Sequence, residues 1–447
     1  MIDGETALAR CAELIEAARR HGADAADAVA RAQSSEGVTV RLGKLEEVER
    51  SESEEIALRV FVGKRSASIE TSDFASAALD DLAERAVAMA RVAPEDLHAG
   101  LAPDDRLEHG AAPALDLEDA GDPGPEGLRE RALAAEDAAR AVNGVTNSEG
   151  GGASSGRSLF ALATSGGFAR AYGATHHSLS AVVIGGQGSA MQRDYATRSA
   201  RHLADLPSPE EVGRLAGERT VARLDPEIPK GGRMPVLFDP RVGGSLVGHL
   251  AGAMAGPAIA SGSSFLLGRE GEAIFPEAIE VVEDPHRPRA QRSRPFDGEG
   301  VACAPRKLVE RGVLGGWLLN VASANKLGLA LTGHASRGGG SPGVSASNLH
   351  IPAGPVSRAE LMADVAEGVL ITELAGQGVN PVTGDYSRGA SGFRIVNGEI
   401  AGPIAEFTIA GNLLAMFAAL RAADDLEMYR AVNVPTLRVD GMTVAGT

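Results

Sequence analysis

The sequence predicts an α+β protein: a helix-plus-antiparallel-sheet N-terminal part, then a curved, barrel-like and mostly antiparallel β part with helices packed around it. Three observations carry that expectation. Runs with period-two alternation, such as Ile56–Val62 (IALRVFV), read as half-buried strands. Turn dipeptides join them, Arg311-Gly312 in KLVERGVLGGWLL and Asn397-Gly398 in FRIVNGEIAGPIAEF, and Asn-Gly between apolar runs marks a hairpin. Helical periodicity is confined to a few segments, so helices flank the strands without alternating with them. At 447 residues the chain exceeds one ordinary core. The expected division is an N-terminal domain over 1–205, a linker helix and loop over 206–232, and a C-terminal domain over 233–447.

In chain order, residues 5–20 form an amphipathic helix with Leu8, Cys11, Leu14, Ile15 and Ala18 on one side, ended by Gly22. Strands follow at Asp27–Ala32, Val38–Leu42 and Ile56–Val62, with the acidic stretch Glu46–Glu55 as a solvated edge or hairpin. Helices at 74–92 and 124–142 enclose a Pro- and Asp-rich loop, Ala93–Pro123. Ser158–Thr164, Phe168–His177 and Leu179–Gln187 read as an antiparallel meander. A helix at Pro209–Leu224 leads to the second half, where three helices are expected: Pro240–Gly256, Ser357–Glu367 and Gly411–Ala423. The closing VPTLRVDGMTV reads as β with an Asp-Gly turn.

Composition narrows the function classes. The net charge of −17, from 60 acidic and 43 basic side chains, repels phosphate backbones, and no Lys/Arg-rich block offsets it. Direct nucleic-acid binding is disfavoured. Two distant cysteines, Cys11 and Cys303, make neither a disulfide framework nor a metal-ligand spacing. The N-terminus lacks the basic start and apolar core of a secretion signal, and no apolar run is long enough for a membrane span. A cytoplasmic location is the expectation.

The segment PRVGGSLVGHLAGAMAG (240–256) organises the second half. Val242, Leu246, Leu250 and Met254 line one helical face, and five glycines weaken the helix so that it needs tertiary packing. His249 interrupts it, either as a satisfied core histidine or as a functional ring. Of the ten histidines, His176 and His177 are adjacent and point to opposite strand faces, so they do not share an ion. His286, His334 and His350 lie on separate elements. Ser345, Ser347 and Ser391 sit in Gly-rich contexts without a nucleophile elbow. SEGGGASSG (148–156) and SRGGGSPG (336–343) lack a Walker lysine or a dinucleotide fingerprint and read as flexible loops. Asp297 and Glu299 in RPFDGEG read first as binders of backbone amides, and Asp385 in TGDYSRG as a turn former.

These blocks carry a resemblance. The 240–256 helix with its preceding strand, RPFDGEG followed by LVERGVLGGWLLN, and ELAGQGVNPVTGDYSRGASGF followed by IVNGEIAGPIAEFTIAGNL resemble the PmbA/TldE branch of the TldD/PmbA proteins. The likeness covers nearly all of 230–447 and is looser over 1–200. Catalytic members carry HExxxH on this helix. The corresponding places here are Gly248, His249 and Ala253, and the C-terminal region ADDLEMYRAVNVPTL lacks the family's further ligand cysteine.

The resemblance therefore implies a chain with no catalytic or metal-ligating residues and no cofactor of its own. Zinc is expected in a TldD-like partner, in a cytoplasmic metallopeptidase heteromer acting on unfolded peptides or peptide precursors. His249, Asn380, Asp385 and Ser391 are the candidate contributions to the substrate chamber. A homodimer in isolation stays open. The alternatives are a non-enzymatic regulator, linked to gyrase or an antitoxin, and a self-sufficient peptidase with scattered metal ligands.

Overall fold

Alternation and turn chemistry set the N-terminal sheet. In a computed structural model, which describes residues 1–446, helix α1 (Gly4–Arg20) is capped by Asp3, whose side chain accepts from the Thr6 amide. Strand β1 (Ala25–Arg41) turns at Leu42-Gly43, both with positive φ, into β2 (Lys44–Val62), followed by β3 (Arg65–Thr71). Helices α2 (Ser76–Val92) and α3 (Gly124–Arg140) flank the long loop. Strands β4 (Val145–Thr164), β5 (Ala169–Gly185) and β6 (Gln192–Ala200) and helix α4 (Pro209–Ala222) complete this half. The sheet is antiparallel throughout, in the order β3-β2-β1-β4-β5-β6.

Period two sends even-numbered residues of β1 (Ala26, Ala28, Ala30, Val38, Val40) onto the face covered by the four helices. The opposite face carries Asp27, Val29, Arg59 and Leu162. There, Phe296 from the second half packs on Phe168 and Tyr172, with ring centroids 5.2 and 5.4 Å away. Edge-to-face aromatic packing of this kind adds to simple burial.

The second half begins with β7 (Gly232–Phe238), α5 (Pro240–Ala253) and α6 (Gly256–Ala260). Peripheral elements follow: β8 (Val281–Glu283), β9 (Arg306–Glu310), β10 (Val313–Leu314), α7 (Val321–Leu327), β11 (Ala335–Ser336), β12 (Gly343–Val344), β13 (Leu349–His350) and α8 (Arg358–Met362). The main strands are β14 (Glu367–Ala375), β15 (Asp385–Val396) and β16 (Glu399–Asn412). After α9 (Leu413–Ala418) come β17 (Leu420–Ala422), β18 (Val432–Asn433) and β19 (Leu437–Gly446). The sheet runs β16-β15-β14-β7-β19-β17, and a further β16–β19 pairing closes it. Among the described residues, only β14 and β7 pair in parallel within it. This is the α+β architecture with a closed, barrel-like C-terminal sheet; closure removes unpaired edges.

Several local expectations are corrected. Asp27–Ala32 and Val38–Leu42 are one strand, as are Phe168–His177 and Leu179–Gln187, because ladder bonds on both sides carry the backbone through the polar middles. SEGGGASSG is not a flexible loop but lies inside β4. A Cβ on Gly151 would stand 2.2 Å from the Ala132 carbonyl of α3, so a small residue is what lets the helix lie on the strand. The Ser357–Glu367 helix is only α8, since Glu367 already belongs to β14, and Gly411–Ala423 reduces to α9. Asp440-Gly441 forms a bulge within β19, not a turn. Helix α7 and strand β6 were not anticipated. By contrast, the acidic stretch Glu46–Glu55 is the solvated strand edge expected of it, its outer side unpaired because β3 matches only Ile56–Val62.

Candidate functional site

Helix α5 is placed by the turn after β7. Asp239 accepts from the Arg241 amide at its start, and its own amide donates to Ile371 of β14. Leu246, Val247, Leu250 and Ala253 are buried in the barrel-side core. Gly243 and Gly244 admit close neighbours at Val434 and Val432, whereas a Cβ at Gly248 or Gly252 would meet no atom within 4 Å. The outer face of the helix is open.

His249 is half-buried, its ring edge-on to Tyr386 of β15 with centroids 6.2 Å apart. Its Nε2 and the Tyr386 hydroxyl are both buried without a hydrogen-bond partner among the described residues. Burial, reinforced by the Arg388 charge, holds the imidazole below its ordinary pKa, so it is neutral at pH 7. Burial pushes the Tyr386 phenol up to about 12. The pair is thus two neutral polar groups in a mostly apolar setting.

The residues do not fit a family-type metal centre. A zinc site takes three or four protein donors. Gly248 and Ala253 have no side-chain donor atom, which leaves one imidazole, that of His249, packed edge-on to the Tyr386 ring. Among the described residues no group of three or more His, Cys, Asp or Glu side chains is placed to hold a metal ion. Two of the scattered histidines are held by neighbours: His334 bonds Glu283 at 2.6 Å and Thr332 at 2.8 Å, and His177 meets Ser155 at 3.1 Å. Both cysteines are buried and unbridged.

The four chamber candidates fall in two places. Asn380 caps a turn by accepting from the Val382 and Thr383 amides, and its own amide donates to the Asp385 carbonyl. Asp385 accepts from Thr383 and Asn412, and the Thr383 bond holds its carboxyl below the usual range. Tyr386, the next residue, brings His249 to this end of β15. Ser391 lies further along the strand, donating to Glu373 at 3.3 Å and accepting from Arg223.

Asp297 and Glu299 bind backbone amides, as their turn context predicts. Asp297 accepts from the Glu299, Val301 and Ala335 amides, and Glu299 from Val321. Glu299 also reaches Arg59 at 3.3 Å, and Arg59 pairs with Asp27, which in turn pairs with Arg337. Sequence reasoning missed this network, because its members are scattered along the chain. Burial raises the Glu299 carboxyl to about 7 against the opposing Arg59 charge.

Sequence reasoning also missed an open cleft of about 500 Å³ between the start of α5, β14 and β15. Asp194 lies buried on its floor, bonded by Arg241 at 2.9 and 3.0 Å. Burial alone would raise that carboxyl, but the Arg241 hydrogen bonds and charge carry it below its ordinary value.

The closed barrel is joined to a helix-backed antiparallel sheet, and α5 offers a single imidazole, with no group placed to hold a metal among the described residues. Family profiles give the class of this two-part scaffold. Those for the PmbA/TldA metallopeptidase domain 1, central domain and C-terminal domain match residues 26–90, 118–224 and 231–446. The chain is 36% identical to the metalloprotease PmbA of Escherichia coli O157:H7 over 95% of its length and 92% of that protein. A PmbA homologue from Haemophilus influenzae is also 36% identical, over 97% and 94%. Among solved structures, a candidate modulator of DNA gyrase from Bacteroides thetaiotaomicron matches with a TM-score of 0.91 at 26% identity, covering 100% of both chains. TldE from Thermococcus kodakarensis shares the fold, with a TM-score of 0.86 at 20% identity over 98% of this chain and 100% of that one. The chain belongs to the TldD/PmbA family.

Proposed function

We propose that this chain is the non-metal, PmbA/TldE-like subunit of a cytoplasmic peptidase complex, forming part of the wall of a chamber that admits unfolded peptides or peptide precursors. The observation that carries the reading is the set Gly248, His249 and Ala253 on α5, where catalytic relatives place HExxxH. A donor-poor helix with an open outer face is the form expected of a wall facing a partner. The TldD-like partner would hold the zinc and carry out peptide-bond hydrolysis.

Within that assembly, this chain excludes folded proteins and lowers the entropic cost of positioning a peptide. His249 with Tyr386, Asn380 and Asp385 would contribute at one end of β15 and Ser391 at the cleft margin. Residues 1–205 and 233–447 would act as the two structural parts joined through 206–232. No helix among the described residues is long and apolar enough to cross a membrane. The alternative of a regulator draws on the description of the Bacteroides neighbour as a candidate gyrase modulator. The net charge of −17 favours protein over DNA as the contacted surface.

Co-expression with a TldD-like chain separates the two. The wall reading expects a stable heteromer that cleaves unstructured peptides while neither chain alone does. A partner fully active without this chain, or no complex at all, overturns it.

A further inference from the structure

The cleft beside α5 runs against the charge of the molecule. In a chain of net charge −17 it is bordered by Arg241, Arg292, Arg388 and Arg430, against Asp194 and Glu373. The two carboxylates are already engaged: Asp194 by Arg241 and Arg223, and Glu373 by Arg223 at 2.6 Å. The other three arginines have no ion pair among the described residues.

Two of these side chains are held without being neutralised, and the third is unbonded among the described residues. Arg388 donates to the Ala375 carbonyl at 3.2 Å, and Arg430 to the Arg241 carbonyl at 2.7 Å while its guanidinium lies 5.1 Å from the Tyr429 ring centre. Arg292 is exposed, and its side chain makes no hydrogen bond among the described residues. A second, independent feature points the same way. Thr372 borders the cleft at only 6% exposure, and its Oγ1 has no hydrogen-bond partner among the described residues. An unpartnered buried hydroxyl is costly unless something fills its bonding capacity. It can donate to the kind of group the guanidinium groups attract.

We propose that this cleft binds a carboxylate of an extended peptide, either its C-terminal carboxylate or an acidic side chain, through Arg292, Arg388, Arg430 and the Thr372 hydroxyl. The assignment rests on the reading of this chain as a peptide-chamber wall and gives that wall a specificity. Guanidinium groups match planar carboxylates in paired hydrogen bonds. Arg292 also borders a neighbouring cleft of about 470 Å³ beside Phe160 and Tyr172, so a peptide anchored at one end has room to continue along the junction of the two halves.

The test measures binding of short, unstructured, fluorescein-labelled peptides to the full chain by fluorescence anisotropy. One peptide has a free C-terminal carboxylate and neutral side chains, a second an amidated C-terminus and acidic side chains, and a third neither. The expected result is tighter binding of the first or the second than of the third, by about ten-fold, the ratio one charge-assisted hydrogen bond supplies. The tighter acid form identifies the source of the carboxylate. In the Arg292→Gln/Arg388→Gln variant the gap falls below about two-fold while the neutral peptide binds as before. Arg292→Gln alone, which removes no bond within the fold, narrows the gap in a variant whose folding is not at issue. Equal binding of all three peptides, or a gap that survives these substitutions, overturns the cleft assignment and leaves the wall reading standing. Absence of binding to every peptide overturns the cleft assignment; if the complex with the partner also fails to cleave peptides, the wall reading falls with it.

Discussion

Two arginine-centred regions of this molecule differ in what faces the guanidinium groups. At the junction of the halves, Arg59 is buried between Asp27 and Glu299, with Arg337 on the far side of Asp27, and most of these groups have partners inside the fold. In the cleft beside α5, Arg292, Arg388 and Arg430 have none of opposite charge among the described residues, and Thr372 keeps a free hydroxyl. Polar groups closed on one another tie β1 and β2 to the Glu299 turn. Polar groups left open mark where something outside the chain is received. The difference lies in pairing, since both regions draw on the same residue type.

The strongest way to break the contrast is Arg59→Ala. It leaves Asp27 and Glu299 buried with less opposing charge, and removal of one partner from a buried pair costs about 3–5 kcal/mol. Urea unfolding is expected to show a loss of that size, whereas Arg388→Gln in the cleft should stay within about 0.5 kcal/mol of the parent. A comparable loss at both sites would erase the distinction.

Glu299→Gln sharpens it through pH. A carboxyl raised from 4.5 to about 7 in the folded state contributes stability that is full below its unfolded pKa and is lost as pH rises through about 7. Between pH 4.5 and 8 the parent should lose up to about 3 kcal/mol more than the variant. Parallel stability curves would contradict the assigned burial. The smallest effect is local. His249, held down by burial and Arg388, should titrate below its ordinary 6.5 by proton NMR, and Arg388→Gln should move it part of the way back.

Much of the fold was legible because hairpin chemistry is local. Arg311-Gly312 and Asn397-Gly398 both take positive φ at the turns where dipeptide identity placed them. The errors arose where distant contacts decide. SEGGGASSG has the composition of a loop, but its glycines are the flat ground on which α3 and the neighbouring strands lie. Gly411–Ala423 has helical composition, but β19 captures its end as β17. At the candidate site, Gly248, His249 and Ala253 could be set against the family motif from sequence, since all three lie on one helix. Tyr386 carries no motif in the sequence and stands out only because β15 brings its ring against His249. The cleft arginines, at positions 241, 292, 388 and 430, have no spacing in sequence and meet only when the barrel closes.

The most direct test of the central claim is the metal content of the folded, isolated chain beside that of its complex with a TldD-like partner. The account predicts zinc well below one equivalent in the chain alone and one equivalent per partner subunit in the complex. Stoichiometric zinc in the chain alone, lost when His249 is replaced, would contradict it.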